Sequence, residues 1–414
     1  MKSGWQILLL FYLFLYCNNP VNRNGSGSGL NEHPYTKGTF GYDVQFLSTY
    51  YDDLVILSDR DAQLVVSPGF QGRVMTSTAG GMDGTSFGWL NYDLIATRKK
   101  QEHFNPVGGE ERFWLGPEGG QFSIYFKPGT EFIFENWFVP KEIDTEPFIL
   151  KRNRQREAHF EKEFQLINYR GSEFKIKIDR KIRLLEKSEI EAGLNVLISD
   201  NVRMVGYESE NILTNIGPKE WDRETGMLSI WILNMFKPSS ATTVIVPFRA
   251  GDNAELGKIV TDDYFGEVPS TRILVSDSVI FFKADGKLRS KIGINPKRAL
   301  PVAGSFDSES DILTIVQYSL DREAAYVNSL WEQQDEPFNG DAFNAYNDGP
   351  LETGEQLGPF YELESSSPAA GLKPVESHTH LHRTIHFQGP TNELDIIMKH
   401  VLGVGVETIG AQAQ

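Results

Sequence analysis

The chain has 414 residues, of which 40% are hydrophobic, 12% aromatic and 23% charged. This composition is that of a globular protein and excludes a disordered, collagen-like or coiled-coil chain. With 40 Lys and Arg residues against 56 Asp and Glu residues the net charge is −16, which argues against a general nucleic-acid binder. The one basic run, residues 151–156, is followed by acidic residues and is interpreted as a solvated face.

The first seventeen residues have the pattern of an export signal. Lys2 precedes the apolar stretch Ile7–Leu15, which is too short to span a bilayer, since a spanning helix needs about 20 residues. Cys17 follows as the candidate for lipid attachment, although Tyr16 stands where such signals prefer a small residue. We expect an exported protein, periplasmic or anchored to the membrane through a lipid on Cys17, with residues 18–35 as a flexible tether.

A single cysteine limits the chemistry of the chain. Cys17 is the only one, so an intramolecular disulfide, a Cys-based zinc site and a catalytic thiol in the body of the protein are all excluded. The reactive groups must therefore be oxygen and nitrogen atoms.

Residues 36–414 read as a single β domain. In Phe174–Leu184 apolar residues occupy alternate positions, a period that a half-buried strand explains. Similar strand patterns lie at Phe122–Phe126, Phe160–Ile167, Met227–Met235, Thr242–Phe248, Ile273–Phe282 and Ile312–Tyr318. Turn signals separate them and alternating β/α units are not found, which predicts a mainly β, antiparallel two-sheet sandwich.

Two short helices are predicted within this β domain. Asp321–Gln334 places Ala324, Val327 and Trp331 on one helical face, and Asn392–Leu402 has a similar apolar spacing.

Several segments resemble the galactose mutarotase (aldose 1-epimerase) superfamily, and most of all an uncharacterised secreted bacterial branch of it. Phe70–Met75 resembles its first core hairpin, and Gly108–Gly120 is similar to the Gly-Gly segment that opens its sugar site. Tyr361–Pro368, Leu372–Ser377 and Thr384–Phe387 resemble its last strands and the turn between them. The resemblance implies a two-sheet β-supersandwich whose concave face binds a sugar.

Glu364 matches the superfamily's catalytic glutamate, so the resemblance implies that it is a general base. Opening a hemiacetal requires a base that takes the proton of the anomeric hydroxyl, and a carboxylate can do so. Glu362 lies two residues earlier and therefore on the same face of a strand, about 7 Å away. The two carboxyls could also divide acid and base roles, as in glycoside hydrolysis. The alternative is that both side chains point to solvent from an outer face.

Four histidines alternate along one predicted strand and should share a face, opposite to Leu381, Ile385 and Phe387. They are His378, His380, His382 and His386. They are interpreted as lining of the sugar site, with His380 and His382 as the best candidates for a proton donor. Two alternatives remain: a metal site, because histidines at i and i+2 can share one ion, or an ordinary polar surface.

The Gly-Gly segment supplies three candidate substrate-binding residues. Strand geometry puts Arg112 and Trp114 on one face, with Glu118 after the following turn. An indole plane can cover the apolar face of a pyranose, while Arg and Glu bind its polar groups. Trp114 could equally be an ordinary core residue.

One departure from the superfamily bears on catalysis. Mutarotases carry a mid-chain histidine that protonates the ring oxygen, whereas Ile212–Trp221 stands here without any histidine. Either the C-terminal histidines or His103 replace that acid, or mutarotation has been lost; His159 has no evident place.

These observations predict an exported protein that recognises a carbohydrate, without a cofactor. The first hypothesis is a mutarotase-like enzyme with Glu364 as base and one of His380, His382 and His386 as acid, assisted by Arg112 and Trp114. The second is a non-catalytic glycan-binding lipoprotein that uses the same cleft. The third is a metal-dependent carbohydrate-active enzyme that uses the histidine cluster.

Overall fold

The computed structural model describes residues 34–351 and 353–410. The predicted export segment and nearly all of the predicted tether therefore lie outside the described residues. Among the residues that the structure describes, no helix is both long and apolar enough to cross a membrane.

Strands dominate the described chain. They are β1 (Val55–Asp59), β2 (Ala62–Ser67), β3 (Arg73–Thr78), β4 (Arg112–Gly116), β5 (Ile149–Arg154), β6 (Glu157–Ile167), β7 (Glu173–Leu184), β8 (Arg203–Asn215), β9 (Ser229–Leu233), β10 (Thr242–Pro247), β11 (Ile273–Val275), β12 (Val279–Lys283), β13 (Ser290–Ile294), β14 (Val302–Asp307), β15 (Ile312–Tyr318), β16 (Phe343–Asn347), β17 (Tyr361–Ser366) and β18 (Ser377–Gln388).

The α-helices are short and lie between or beyond the strands. They are α1 (Phe40–Tyr50), α2 (Tyr92–Thr97), α3 (Lys141–Asp144), α4 (Lys187–Leu194), α5 (Asn253–Leu256), α6 (Thr391–Val401) and α7 (Val406–Gly410).

Two large antiparallel sheets form the body of the protein. A ten-stranded sheet has the order β11-β12-β10-β14-β15-β18-β8-β7-β6-β5, and a five-stranded sheet has the order β13-β16-β17-β9-β4. A third sheet, β1-β2-β3, is a small meander. The prediction of a mainly β, antiparallel fold is confirmed.

The two large sheets pack face to face. One core cluster joins Ile178 of β7 and Leu213 of β8 to Phe113 of β4 and Ile232 of β9, all of them buried. Alternation along each strand explains this, because the residues between these point to the opposite face of their sheet. In the five-stranded sheet, the side chains that alternate with these core residues therefore point to the outer face of the sheet.

Helix α6 covers the outer face of the ten-stranded sheet. Its buried residues Leu394 and Ile397 pack in one cluster with Ile385 and Phe387 of β18. The prediction of a helix at Asn392–Leu402 is confirmed, with bounds one residue earlier.

The prediction of a helix at Asp321–Gln334 is wrong, because this segment is a loop. Its apolar side chains enter different clusters: Tyr326 joins the core beside β16, whereas Trp331 stacks on Trp137 with ring centres 5.8 Å apart. The Gln334 amide donates to the carbonyls of Asn328 and Leu330, at 3.1 and 2.7 Å, which satisfies backbone groups without a helix. Tertiary anchoring overrides the helical spacing here.

Phe122–Phe126 was also predicted as a strand and belongs instead to an irregular segment. Only Phe126 forms a β-bridge there, with Trp137. Phe126 packs on Trp331 of a neighbouring loop, whereas Tyr125 packs on Trp114 of β4.

Candidate functional site

The outer face of the five-stranded sheet, called the site face below, carries a cluster of charged and aromatic residues. In the strand register Trp114 lies opposite Trp231, and Glu362 lies opposite Tyr346. Residues paired across antiparallel strands share a face. Leu363 points into the core between the sheets, so Glu362 and its neighbour Glu364 point away from it.

Glu364 occupies the centre of the site face and is only 1% exposed. Its Oε2 accepts hydrogen bonds from Trp231 Nε1 at 2.9 Å and from Lys291 Nζ at 2.8 Å. Its Oε1 is buried and has no hydrogen-bond partner among the described residues. Since a buried carboxylate oxygen without a partner is costly, this atom marks a place where a ligand hydroxyl would be stabilised.

Glu362 forms a second buried ion pair beside the first. Arg112 Nη2 lies 2.6 Å from Glu362 Oε1, and the guanidinium carbon of Arg112 is 4.4 Å from the ring centre of Trp114. Burial raises the pKa of Glu362; the charge of Arg112 opposes this rise, and the charge of Glu364 adds to it. Arg112 Nε and Trp114 Nε1 are also buried without a partner in the described chain.

Glu118 and Trp331 approach the site face from the loops around it. Burial raises the pKa of Glu118 to about 7; Lys291 opposes this rise, and the charge of Glu364 adds to it. Trp331 donates a hydrogen bond to the Glu118 side chain. Glu118 is partly exposed, so the wall that it forms is open to solvent on one side.

Tyr264 covers the face from the other direction. Its hydroxyl donates to Asp341, and Asn344 Nδ2 donates to that hydroxyl at 3.1 Å. The ammonium of Lys291 lies 5.0 Å from the ring centre of Trp231 and 5.5 Å from that of Tyr264. Lys291 is thus held between two aromatic rings and directed at Glu364.

Five of the residues predicted from the sequence meet at this face. They are Arg112, Trp114, Glu118, Glu362 and Glu364. Trp114 is also 4% exposed and packs on Trp231 and Tyr125, so it belongs to the core and to the site face together.

The histidines predicted for the same site lie on the other side of strand β17. Ser365, which alternates with Glu364, meets His380 Nε2 at 2.8 Å and His382 Nδ1 at 2.9 Å. His386 bonds to Glu110 at 3.0 Å. These residues share one face as expected, but it is the interior of the sandwich, so the structure does not bring them to Glu364.

Burial also affects the titration of two of these imidazoles. It lowers the pKa of His380 to about 3 and that of His382 well below the ordinary value. Both rings are therefore neutral near pH 7, and they lie on the opposite side of β17 from Glu364. The placement of His380, His382 and His386 gives no support to the acid role predicted for them.

The remaining histidine predictions can be placed as well. His103 bonds to the Trp137 carbonyl at 2.7 Å and stacks on Phe138, while His159 lies 3.1 Å from Asp179. Within the described part of the chain, no group of three or more His, Cys, Asp or Glu side chains is arranged to hold a metal ion.

Three important neighbours of Glu364 were missed from the sequence: Trp231, Lys291 and Tyr264. Trp231 lies in a predicted strand, so its face could have been assigned by alternation from the core residues on either side. Lys291 lies in the short strand β13, where Ile292 and Ile294 point to the core, and this alternation would have placed it on the site face. Tyr264 lies in a loop and gives no such signal.

A separate concavity of about 360 Å³ lies at the start of β18. Ser319, Asp321, Gly371, His378 and Thr379 are among the residues that line it. None of its lining residues is Phe, Tyr or Trp. Within the described chain, the concavity has one buried unpartnered polar atom, His378 Nε2, whereas the site face has three, Glu364 Oε1, Arg112 Nε and Trp114 Nε1, beside two indole planes. The site face is therefore the candidate site.

Three solved structures among those similar to this chain bear names from the superfamily that its sequence segments resemble. A putative aldose 1-epimerase from Escherichia coli K12 is 12% identical with a TM-score of 0.47, over 81% of this chain and 99% of that one. A galactose mutarotase-like protein from Lactobacillus casei ATCC 334 is 9% identical with a TM-score of 0.46, over 81% and 100%. A galactose mutarotase related enzyme from Lactobacillus acidophilus is 8% identical with a TM-score of 0.44, over 81% and 97%.

No curated protein matches the chain in sequence. One family model does match, that of a "Family of unknown function (DUF6786)", and the match runs from residue 38 to residue 413. Because this match covers nearly the whole sequence, the chain belongs to the DUF6786 family.

Proposed function

We propose that this protein binds a saccharide against the site face and exchanges protons at its anomeric carbon, with Glu364 as the base. The observation that carries the proposal is the buried, unpartnered Oε1 of Glu364, in a carboxylate held in place by Lys291 and Trp231. A carboxylate fixed through one oxygen and free at the other is suited to receive a hydroxyl proton.

The surroundings of Glu364 suit a sugar ring. Trp114 and Trp231 offer indole planes with ring centres 5.7 Å apart, and such planes can pack on the apolar face of a pyranose. The unpartnered Arg112 Nε and Trp114 Nε1 supply donors for ring hydroxyls. A few fixed polar groups on an aromatic floor are typical of a small-molecule site.

The reaction needs one base and one acid. Glu364 takes the proton of the anomeric hydroxyl, the bond between the anomeric carbon and the ring oxygen breaks, and an acid protonates that oxygen to give the open-chain aldehyde. Ring closure on the other face of the carbonyl reverses both transfers. Glu118 is the candidate acid, because its carboxyl is within electrostatic range of Glu364 and has no cation at hydrogen-bonding distance in the described part of the chain, whereas Glu362 is paired with Arg112.

The second candidate function is a non-catalytic glycan-binding protein. It is favoured by one observation: in the described chain no histidine forms a hydrogen bond with Glu362 or Glu364, so the imidazole acid of mutarotases has no counterpart at this face. A glycan-binding site needs the aromatic residues and the hydrogen-bond donors of the site face, but it does not need either of the two proton transfers.

Sugar titrations followed by tryptophan fluorescence test binding, because Trp114 and Trp231 line the floor. A ligand should change the emission and raise the melting temperature, and Trp231→Phe should remove most of the fluorescence response. Magnetisation transfer between the α- and β-anomer signals of the same sugar, measured by NMR, then tests catalysis. Binding with exchange supports the enzyme, binding without exchange supports the glycan-binding protein, and the absence of any response refutes both.

Glu118→Gln should lower turnover by about 10²–10³-fold and remove the alkaline limb of the pH profile. An acid must be protonated to act, and the pKa of Glu118 is about 7, so wild-type turnover should fall as the pH rises through 7. The measurement is exchange rate against pH for both proteins, with Glu135→Gln in an exposed turn as the control. A wild-type rate that does not fall above pH 7, or an unaltered rate in Glu118→Gln, would show that another group is the acid.

Export and lipid attachment at Cys17 remain part of the proposal and rest on the sequence of residues 1–17 alone. Fractionation of cells that express the full chain or Cys17→Ser tests both. Membrane association that is lost in the variant supports the lipid anchor, and a cytoplasmic wild-type protein contradicts export.

A further inference from the structure

Arg289 stands at the edge of the site face and differs from the other cations there. It precedes Lys291 by two residues and is partly buried. Arg112 and Lys291 are each paired with a carboxylate, at 2.6 and 2.8 Å. Arg289 forms neither a hydrogen bond nor an ion pair through its side chain within the described part of the chain; its guanidinium packs on an aromatic ring instead.

The aromatic ring is that of Phe265, and it holds the Arg289 guanidinium at the edge of the site face. The guanidinium carbon of Arg289 lies 4.1 Å from the ring centre of Phe265, which itself meets Tyr346 edge-on at 5.9 Å. Tyr346 lies opposite Glu362 in the strand register, so this aromatic pair adjoins the floor directly. Phe265 is 48% exposed, so the Arg289–Phe265 pair lies at the solvent-facing edge of the site face.

Arg289 is electrostatically part of the site. Its charge lowers the pKa of Glu118 in the wall and that of Tyr346 at the margin of the floor, although burial raises both more strongly. Arg289 is therefore within electrostatic range of Glu118 and of Tyr346.

The structure assigns to Arg289 the recognition of an anionic substituent, a carboxylate or a sulfate, on the saccharide bound at the site face. Stacking on Phe265 fixes the plane of the guanidinium and leaves its N–H groups free for a bidentate contact, the geometry in which arginine binds carboxylate and oxyanions. The inference rests on the proposed function and narrows its substrate class from saccharides in general to acidic ones.

The net charge of the protein supports the assignment of anion recognition to Arg289. A net charge of −16 repels anions from the general surface, so a ligand anion needs a local cation that no protein carboxylate neutralises. Among the residues that the structure describes, Arg289 meets that requirement, because it has no ion pair, whereas Arg112 and Lys291 are already paired with Glu362 and Glu364.

Matched sugars that differ only at the sixth carbon test the assignment. Glucose, glucuronate and glucose 6-sulfate, and the corresponding galactose series, are titrated into the full chain, Arg289→Met, Arg289→Lys and the exposed control Lys287→Met. The wild type should bind at least one anionic sugar about 10-fold or more tightly than its neutral counterpart. Arg289→Met should weaken that binding by about 10- to 100-fold, the loss of a charge-assisted pair, and leave neutral sugars unaffected.

The remaining outcomes separate this inference from the proposed function. Arg289→Lys should bind the anionic sugar more tightly than Arg289→Met but less tightly than the wild type, because lysine cannot form the bidentate contact. Lys287→Met should leave the affinity unchanged. Preference for the uronate or for the sulfated sugar identifies which anion is bound. Binding of neutral sugars as tightly as anionic ones, or an unaffected Arg289→Met, overturns the inference while the proposed function stands, and failure to bind any of the six overturns both.

Discussion

Glu364→Gln should lower the rate of anomeric exchange by about 10²–10⁴-fold while leaving the affinity for the sugar within a few-fold of wild type. The amide has the shape of the carboxylate but cannot accept a proton. Its oxygen can still receive a hydrogen bond from Trp231 or Lys291, so the floor of the site keeps its geometry. Exchange rates and binding constants measured on the same samples separate the two effects.

A matched control replaces a glutamate that has no role in the site. Glu210 pairs with Lys181 on the outer side of the ten-stranded sheet, and each side chain is about one-third exposed. Glu210→Gln should therefore leave exchange unchanged. Equal exchange in Glu364→Gln and wild type would show that Glu364 is not the base, and a large loss of affinity would instead assign it to ligand binding.

The side of the strands on which the candidate site lies could be predicted from the sequence, because it depends only on the alternation of side chains along each strand. Glu362 and Glu364 are two residues apart in one strand, as are Arg112 and Trp114 in another, and a period of two places each pair on one side. Core residues between them, such as Leu363 and Phe113, fix that side as the one away from the sandwich interior.

The face of the histidines could not be assigned in the same way. Their strand, β18, is central in the ten-stranded sheet and is covered on both sides, by α6 on one and by the five-stranded sheet on the other. The face of β18 that carries Ile385 and Phe387 is apolar, which suggests that the opposite, histidine-bearing face is exposed. In the structure His380 and His382 on that face are fully buried. Alternation separates the two faces of a strand but does not tell which of them a second layer covers.

The partners of Glu364 depend on strand order, which local patterns do not contain. Lys291 reaches Glu364 across β16, because β13 and β17 both flank that strand. The spacing of 73 residues between them gives no hint of this contact. The sequence therefore predicts both carboxylates and the Arg112 partner of Glu362, but not the residues around Glu364, which are Lys291, Trp231 and Tyr264.

The largest loss of stability is expected from breaking the buried pair Arg180–Glu111. Arg180 Nη2 lies 2.8 Å from Glu111 Oε1, and both side chains are 0% exposed. Burial lowers the pKa of Arg180 and raises that of Glu111, and in each case the charge of the partner opposes the shift. Each charge is therefore sustained in the core by the other.

Glu111→Gln should lower the free energy of unfolding by about 3–5 kcal/mol, because it leaves the Arg180 guanidinium buried without a counter-charge. Urea unfolding followed by tryptophan fluorescence measures the loss. Lys181→Met, which removes a partly exposed ion pair on the same strand, serves as the control and should cost about 0–1 kcal/mol.

The double variant Arg180→Met/Glu111→Leu distinguishes the cost of an unpaired charge from the cost of lost packing. If the unpaired guanidinium causes the loss, removing both charges should recover much of the stability, since apolar side chains of similar volume can replace a buried pair. Recovery will be incomplete, because Arg180 also donates to the Gly72 carbonyl at 3.2 Å and to the Asn211 side chain. A double variant as unstable as the sum of the two single variants would show that the charges act independently and that the pair itself contributes nothing.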